Sequence, residues 1–258
     1  MDEAQPRRTD RLTLILRWSL GIVAGLVVLA GALLGYAYLA TPAALRHPTP
    51  AHFHFRLQII NNGRPVDFSA NEYQSAFNQD VCTAKLTKEP VHFHDRLDQF
   101  VHVHWKHVTG GVVLKNYGWN FIGGTKFTLG YRFDQLPRVV HLPVHSRSLP
   151  NPSPGARYFV YVSSMATPST VYQQRSWDSF LEADLEDFFK AAPAARTTSW
   201  LGTLVPTASA HNGEEELASL NDVLGNVVIF AQKTAPTDAQ IKDRFSQLVP
   251  LPLSACGG

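Results

Sequence analysis

Residues 90–105 read PVHFHDRLDQFVHVHW, two runs in which histidines alternate with apolar residues, joined by a short polar stretch. Alternate side chains of a β-strand point to the same face, so this pattern predicts a β-hairpin. We expect His94 to lie opposite His102 and His92 opposite His104, which places all four imidazoles on one face. The apolar residues between them then share the other face, and a one-residue slip would mix the two sets.

These four histidines are candidate metal ligands, because opposed residues on antiparallel strands have Cβ atoms about 4.5–5.5 Å apart. Neutral imidazole suits copper and zinc, whereas an ion that prefers oxygen ligands, such as calcium, is not expected at a histidine cluster. Several further residues could add a ligand or orient one. They are His52 and His54, which flank Phe53 in the same alternation, together with Asp95, Asp98 and Cys82.

Other interpretations of the histidines stay open at this point. They could be the polar face of a half-buried sheet, or a pH sensor in which charged imidazoles repel one another. The chain would then be a metal-independent structural or interaction module of the envelope. A metal-assisted hydrolase or oxidase would use Asp95 or Asp98 on a metal-bound water. The sequence contains no Gly-x-Ser-x-Gly, Walker A or dinucleotide motif, and no acid, base or nucleophile constellation is recognisable. We therefore favour a carrier, sensor or chaperone, without settling whether the chain is an enzyme.

An apolar stretch without any charge runs from Trp18 to Leu39, long enough for the ~20 residues that cross a bilayer. The apolar region of a cleaved signal peptide is normally only ~7–15 residues, so residues 18–40 are predicted to be an uncleaved transmembrane anchor. Four arginines precede it, and the positive-inside rule places residues 1–17 in the cytoplasm and the remainder outside the cell membrane. The small-xxx-small pairs Gly21/Gly25 and Gly31/Gly35 would allow a homodimer through the anchor.

Beyond the anchor we expect a Pro-rich linker over residues 41–51 and one extracytoplasmic α+β domain over 52–258, with a mainly antiparallel sheet and flanking helices. The domain divides into a histidine-rich half, 52–124, and a C-terminal half, 125–258, with an insertion at 165–216. A net charge of +2 gives no concentrated basic surface, so nucleic acid is not an expected partner, and no protein partner is indicated.

Periodicity and turn residues predict the individual elements. Strands are expected at 53–60, 66–68, 127–133, 139–144, 158–162 and 227–231, and helices at 69–78, 109–119, 177–189 and 237–248. The two cysteines, Cys82 and Cys256, would form a disulfide in an oxidising compartment, unless Cys82 serves as a soft metal ligand.

From His52 to about Trp119 the chain resembles a group of prokaryotic, often membrane-anchored proteins. The resemblance lies in a fixed succession of elements: His54, Asn62-Gly-Arg-Pro65, Cys82, His92-Phe-His-Asp95, Val101-His-Val-His104 and Thr109-Gly-Gly-Val-Val113. Residues 158–162 and 220–229 resemble the closing strands of that group. The group has no established activity, so the resemblance implies a shared site at the histidines and does not imply a reaction.

Overall fold

The computed structural model describes residues 8–40, 46–75, 86–87, 89–117, 149–150, 152–165, 171–190 and 216–253. Several predictions lie outside these ranges: the strands at 127–133 and 139–144, and every statement about Cys82 and Cys256. Within the described ranges, the chain has an apolar N-terminal helix followed by an α+β unit with a mostly antiparallel sheet. The predicted fold class is confirmed at that level.

The sheet has seven strands among the described residues. They are β1 (Pro50–Asn61), β2 (Arg64–Pro65), β3 (Val91–His92), β4 (Phe100–Trp105), β5 (Arg157–Ser164), β6 (Gln173–Arg175) and β7 (Val223–Gln232). Their order is β3-β4-β1-β7-β5-β6, and β2 pairs with the end of β1. Among the pairings between these seven described strands, only that of β1 with β7 is parallel. The first long strand, β1, therefore lies between β4 and the last strand, β7.

Five helices are described with their bounds: α1 (Arg8–Ala40), α2 (Gly110–Asn116), α3 (Trp177–Glu182), α4 (Leu185–Lys190) and α5 (Asp238–Ser246). The side chain of Thr109 caps α2, and Thr237 caps α5 in a capping box with Gln240. The single helix predicted over 177–189 is wrong, because two helices stand there. Ala183 is extended, and Asp184 accepts a hydrogen bond from the backbone N–H of Glu186 at the start of α4.

The segment after the first hairpin also differs from the prediction. Asn62 and Gly63 have positive φ angles of 50° and 80°, the turn that an Asn-Gly pair favours, but the return strand is β2 instead of 66–68. The helix predicted over 69–78 is wrong over the described residues 69–75, which form turns. The carboxylate of Asp67 accepts hydrogen bonds from the backbone and hydroxyl of Ser69, and such local bonds compete with helix.

The alternation of β1 separates two environments. Its odd-numbered residues, Phe53, Phe55, Leu57 and Ile59, belong to the main hydrophobic core. Helices α2, α3 and α4 contribute to this core, which also contains Val91 and Val103 of the neighbouring strands. The even-numbered residues from His52 to Gln58 are polar, and Ile60 ends the row beside a second core under α5. Burial of the apolar face thus fixes which way the histidines point.

Helix α1 is apolar and exposed where its side chains are described. Its segment Thr13–Tyr36, 24 residues long, has the length and composition needed to cross a membrane. A signal sequence near the N-terminus would meet the same test. The structure thus shows an apolar helix that could be either a membrane span or a signal sequence.

Replacing Gly110 with alanine tests how closely α2 packs on α3. A Cβ at this position would lie 2.5 Å from the backbone oxygen of Phe180 and 2.4 Å from its ring. Relieving such overlap typically costs about 1–3 kcal/mol, so we expect the free energy of unfolding to fall by that amount in urea titrations of the full chain in micelles. Gly21→Ala is the control, since nothing lies within 4 Å of that position. Equal stability of the two variants would contradict this packing.

Candidate metal centre

Six histidines from three adjacent strands share one face of the sheet. We call this set the histidine array: His52 and His54 of the β1 strand, His92 and His94 at and just beyond β3, and His102 and His104 of β4. Strand β4 lies in the middle, with β3 and β1 on either side. From the sequence, His52 and His54 were only additional candidates, because their strand did not have to lie next to the hairpin. The pairing of β1 with β4 places them beside it.

The register differs from the expected one by two residues. His102 is opposite His92 on one side and opposite His54 on the other, whereas His94 was expected opposite His102. A shift of two residues leaves every side chain on its original face, so the expected shared face of the four hairpin histidines is still observed. Val91 pairs with Val103 on the core side.

The rings form a continuous layer. Ring centroids are 3.8 Å apart for His94 and His102, 4.5 Å for His54 and His102, and 4.5 Å for His92 and His104. His52 extends the layer, 5.3 Å from His104. Each imidazole therefore lies within contact distance of at least one other.

The array is buried, unlike a row of histidines on a wet sheet face. His54, His92, His94, His102 and His104 are each no more than 3% exposed, and His52 is partly exposed. Phe100 stacks on His54 with ring centroids 4.9 Å apart and belongs to a small apolar cluster with Ala218, Val223 and Leu251. A half-buried polar face, one of the alternatives above, does not describe this arrangement.

Two overlapping groups of three histidines could each hold an ion. One is His92, His94 and His102, the other is His52, His54 and His102, and in each the ring nitrogens lie within 4.8 Å of one another. Nitrogens around a tetrahedral zinc are about 3.3 Å apart, given Zn–N bonds of about 2.0–2.1 Å. Closure on an ion thus requires movements of at most about 1.5 Å, within reach of small ring rotations.

Hydrogen bonds fix the orientation of three rings. Nδ1 of His94 lies 2.8 Å from Oδ2 of Asp95, and Nδ1 of His102 lies 3.0 Å from Nε2 of His54. Nδ1 of His54 in turn contacts the backbone oxygen of Asn221. Bonds of this kind from the second ring nitrogen to a carboxylate or carbonyl orient metal-binding histidines.

Other ring nitrogens of the array are buried without a hydrogen-bond partner among the described residues. They are the Nε2 atoms of His52, His92, His102 and His104. A buried polar atom left unsatisfied costs about 1–3 kcal/mol, so native structures contain few of them. A metal ion held by these rings could satisfy such atoms.

Burial and mutual repulsion keep the imidazoles neutral. Burial lowers the pKa of His92 to about 2, with neighbouring histidines, His104 first, adding to the effect. It lowers the pKa of His54 and of His104 to about 3, against an ordinary value of 6.5, and holds that of His102 well below it. Neutral imidazole is the form that binds metal.

The remaining candidates take different positions. Asp95 orients His94, whereas Asp98 accepts a hydrogen bond from the backbone N–H of Phe68, 2.9 Å away. Cys82 lies outside the described residues. Two residues near the array were not predicted from the sequence. Asn221 contacts His54 through a backbone oxygen, which no side-chain motif reveals. Asp222 raises the pKa of His52 against the effect of burial.

The apo protein should lose stability as the pH falls below 6.5. Unfolded histidines bind protons below their ordinary pKa, whereas His54, His92 and His104 stay neutral in the fold down to about pH 3. Each of these three histidines therefore lowers the free energy of unfolding by up to about 1.4 kcal/mol for every pH unit below 6.5, down to about pH 3. We expect urea titrations of the chelator-treated full chain to show this decline between pH 6.5 and 5.

A matched pair of variants assigns the decline to the array. His92→Gln removes one titrating ring and should make the decline shallower, whereas His47→Gln, at an exposed histidine outside the array, should leave it as it is. Stability that is constant from pH 7 to pH 5 in the unmodified chain would contradict a buried, neutral array.

Comparisons with protein-family models, with curated proteins and with solved structures gave no match to this chain. The resemblance drawn from its motifs stays a prediction.

Proposed function

We propose that this chain is a membrane-anchored protein whose extracytoplasmic domain binds a transition-metal ion, copper or zinc, as a carrier, sensor or metallochaperone. The observation that carries the proposal is the buried group His92, His94 and His102, whose nitrogens lie within 4.8 Å of one another. His104 adjoins His92 and completes the four-histidine set expected from the sequence. Neutral nitrogen ligands favour copper and zinc over magnesium and calcium.

Two carboxylates support binding of a divalent ion. A divalent ion adds two positive charges to ligands that carry none, and burial makes uncompensated charge costly. Asp95 lies 2.8 Å from His94 beside β3, and Asp222 attracts positive charge at His52 on β1. Asp95, just beyond β3, and Asp222, just before β7, would offset the charge of Zn(II) or Cu(II).

A binding role fits these residues better than catalysis or pH sensing. The two acids considered as bases for a metal-bound water are engaged elsewhere, Asp95 with His94 and Asp98 with the backbone of Phe68. A mild-acid sensor that acts within the folded state needs rings that charge near neutral pH, but burial lowers the pKa of His54 and His104 to about 3. A stable, neutral ligand set is the simpler account of both facts.

Zinc titration of the full chain in detergent micelles tests the site. We expect the chelator-treated protein to bind Zn(II) or Cu(II) in calorimetry, and His94→Ala and His102→Ala to weaken binding by more than about 100-fold. The reason is that losing a ligand costs more than the ~10–100-fold loss seen when an outer-shell partner is removed.

His107→Ala is the control, because this histidine is exposed and pairs with Asp184 outside the array. Binding that survives both array substitutions would place the ion elsewhere. Absence of binding in the unmodified chain would favour a metal-free structural role.

The membrane orientation has its own test. Arginines at positions 7, 8, 11 and 17 precede the apolar segment Thr13–Tyr36 or lie near its start, which supports a cytoplasmic N-terminus. In spheroplasts of cells expressing the tagged chain, added protease should digest a C-terminal tag and spare an N-terminal one until lysis. The reverse pattern, or recovery of the chain without its N-terminal helix, would contradict an N-in anchor.

A further inference from the structure

The two three-histidine groups share His102, which raises the question of which group holds an ion. Both cannot use the same nitrogen of His102 at once. The hydrogen bonds around this ring distinguish the groups, because they determine which nitrogens carry protons and which present a lone pair.

The contact between His54 and the backbone of Asn221 determines which ring nitrogens of His54 and His102 carry protons. The backbone oxygen of Asn221 is only an acceptor, so Nδ1 of His54 must carry the proton in that contact. A neutral imidazole has a single N–H, and Nε2 of His54 is therefore an acceptor. His102 must then donate from Nδ1 across the 3.0 Å contact, and its buried Nε2 retains the lone pair.

This chain of contacts has opposite effects on the two groups. The lone pair of His54 is engaged by His102, so the group His52, His54 and His102 lacks one ligand unless that hydrogen bond breaks. In the other group, Asp95 holds the Nδ1 proton of His94, which directs the second nitrogen of that ring to act as a ligand. His94 and His102 are thus already in the binding tautomer.

We infer that His54 is a positioning residue for the ion site and not one of its ligands. Its Nε2 accepts a hydrogen bond from the Nδ1–H of His102, which leaves Nε2 of His102 to bind an ion together with His92 and His94. Asn221, 167 residues away in sequence, fixes the tautomer of His54 through its backbone oxygen. The inference rests on the proposed function, and it assigns the second histidine group a supporting role.

Substitution of His54 by two different residues separates a positioning role from a ligand role. The side-chain oxygen of glutamine in His54→Gln can accept from His102 while its NH₂ group donates to Asn221, whereas His54→Leu offers neither. In Zn(II) titrations of the full chain in micelles, we expect His54→Gln to bind within about threefold of the unmodified chain. His54→Leu should fall by ~10–100-fold, the usual effect of losing an outer-shell partner.

The matched control is His94→Gln, at an expected ligand, which should bind as poorly as His94→Ala because an amide does not replace the ring nitrogen. Equal weakening by His54→Gln and His54→Leu would overturn the inference and make His54 a ligand. No effect of His54→Leu would overturn it as well, since a positioning residue must matter.

The tautomers can be measured without metal or substitution. In the chelator-treated chain with ring-¹⁵N-labelled histidine, long-range ¹H–¹⁵N spectra should show the Nδ1–H form for His54, His94 and His102. An Nε2–H form of His102 would overturn the inference even if zinc binds. If the unmodified chain binds neither Zn(II) nor Cu(II), the proposed function fails and the ion-positioning role fails with it. The spectra would still determine the tautomers in that case.

Discussion

The pairing of β1 with β4, with His54 opposite His102, is the constraint on which the remaining features depend. Because side chains alternate, this one register buries Phe53 and Phe55 with Val101 and Val103 in the main core and assembles the histidines on the reverse side. Burial of each such apolar side chain stabilises the fold by about 1.5–3 kcal/mol. A slip of one residue would bury imidazoles in that core, so the apolar face holds the array in place.

The C-terminal half completes the array. Strand β7 runs parallel to β1 and follows directly after Asn221 and Asp222. The backbone oxygen of Asn221 contacts His54, and the charge of Asp222 raises the pKa of His52. Ala218, Val223 and Leu251 cluster with Phe100 next to the same rings. Strands β1, β3 and β4 therefore supply the rings, and the segment that leads into β7 supplies the backbone acceptor of Asn221 and the carboxylate of Asp222.

The sequence predicts the face of each histidine but not its neighbours. A period of two determines whether a side chain points inward or outward, which is why the shared face survived a two-residue change in register. The same period says nothing about strand order, so His52 and His54 could not be placed beside β4. Asn221 acts through a backbone oxygen and leaves no motif. Local hydrogen bonds accepted by the carboxylates of Asp67 and Asp184 replace the helix predicted at 69–75 and accompany the break within the one predicted at 177–189.

Stability of the fold does not account for a layer of six imidazoles of which five are buried. Apolar side chains of similar size would fill the same space, whereas four buried Nε2 atoms without hydrogen bonds among the described residues each cost about 1–3 kcal/mol. Protonation does not relieve this cost, because a charged ring in this layer is desolvated and repelled by its neighbours. A bound cation would satisfy those of these nitrogens that present a lone pair, so the same interactions that cost stability without an ion would favour the binding of one.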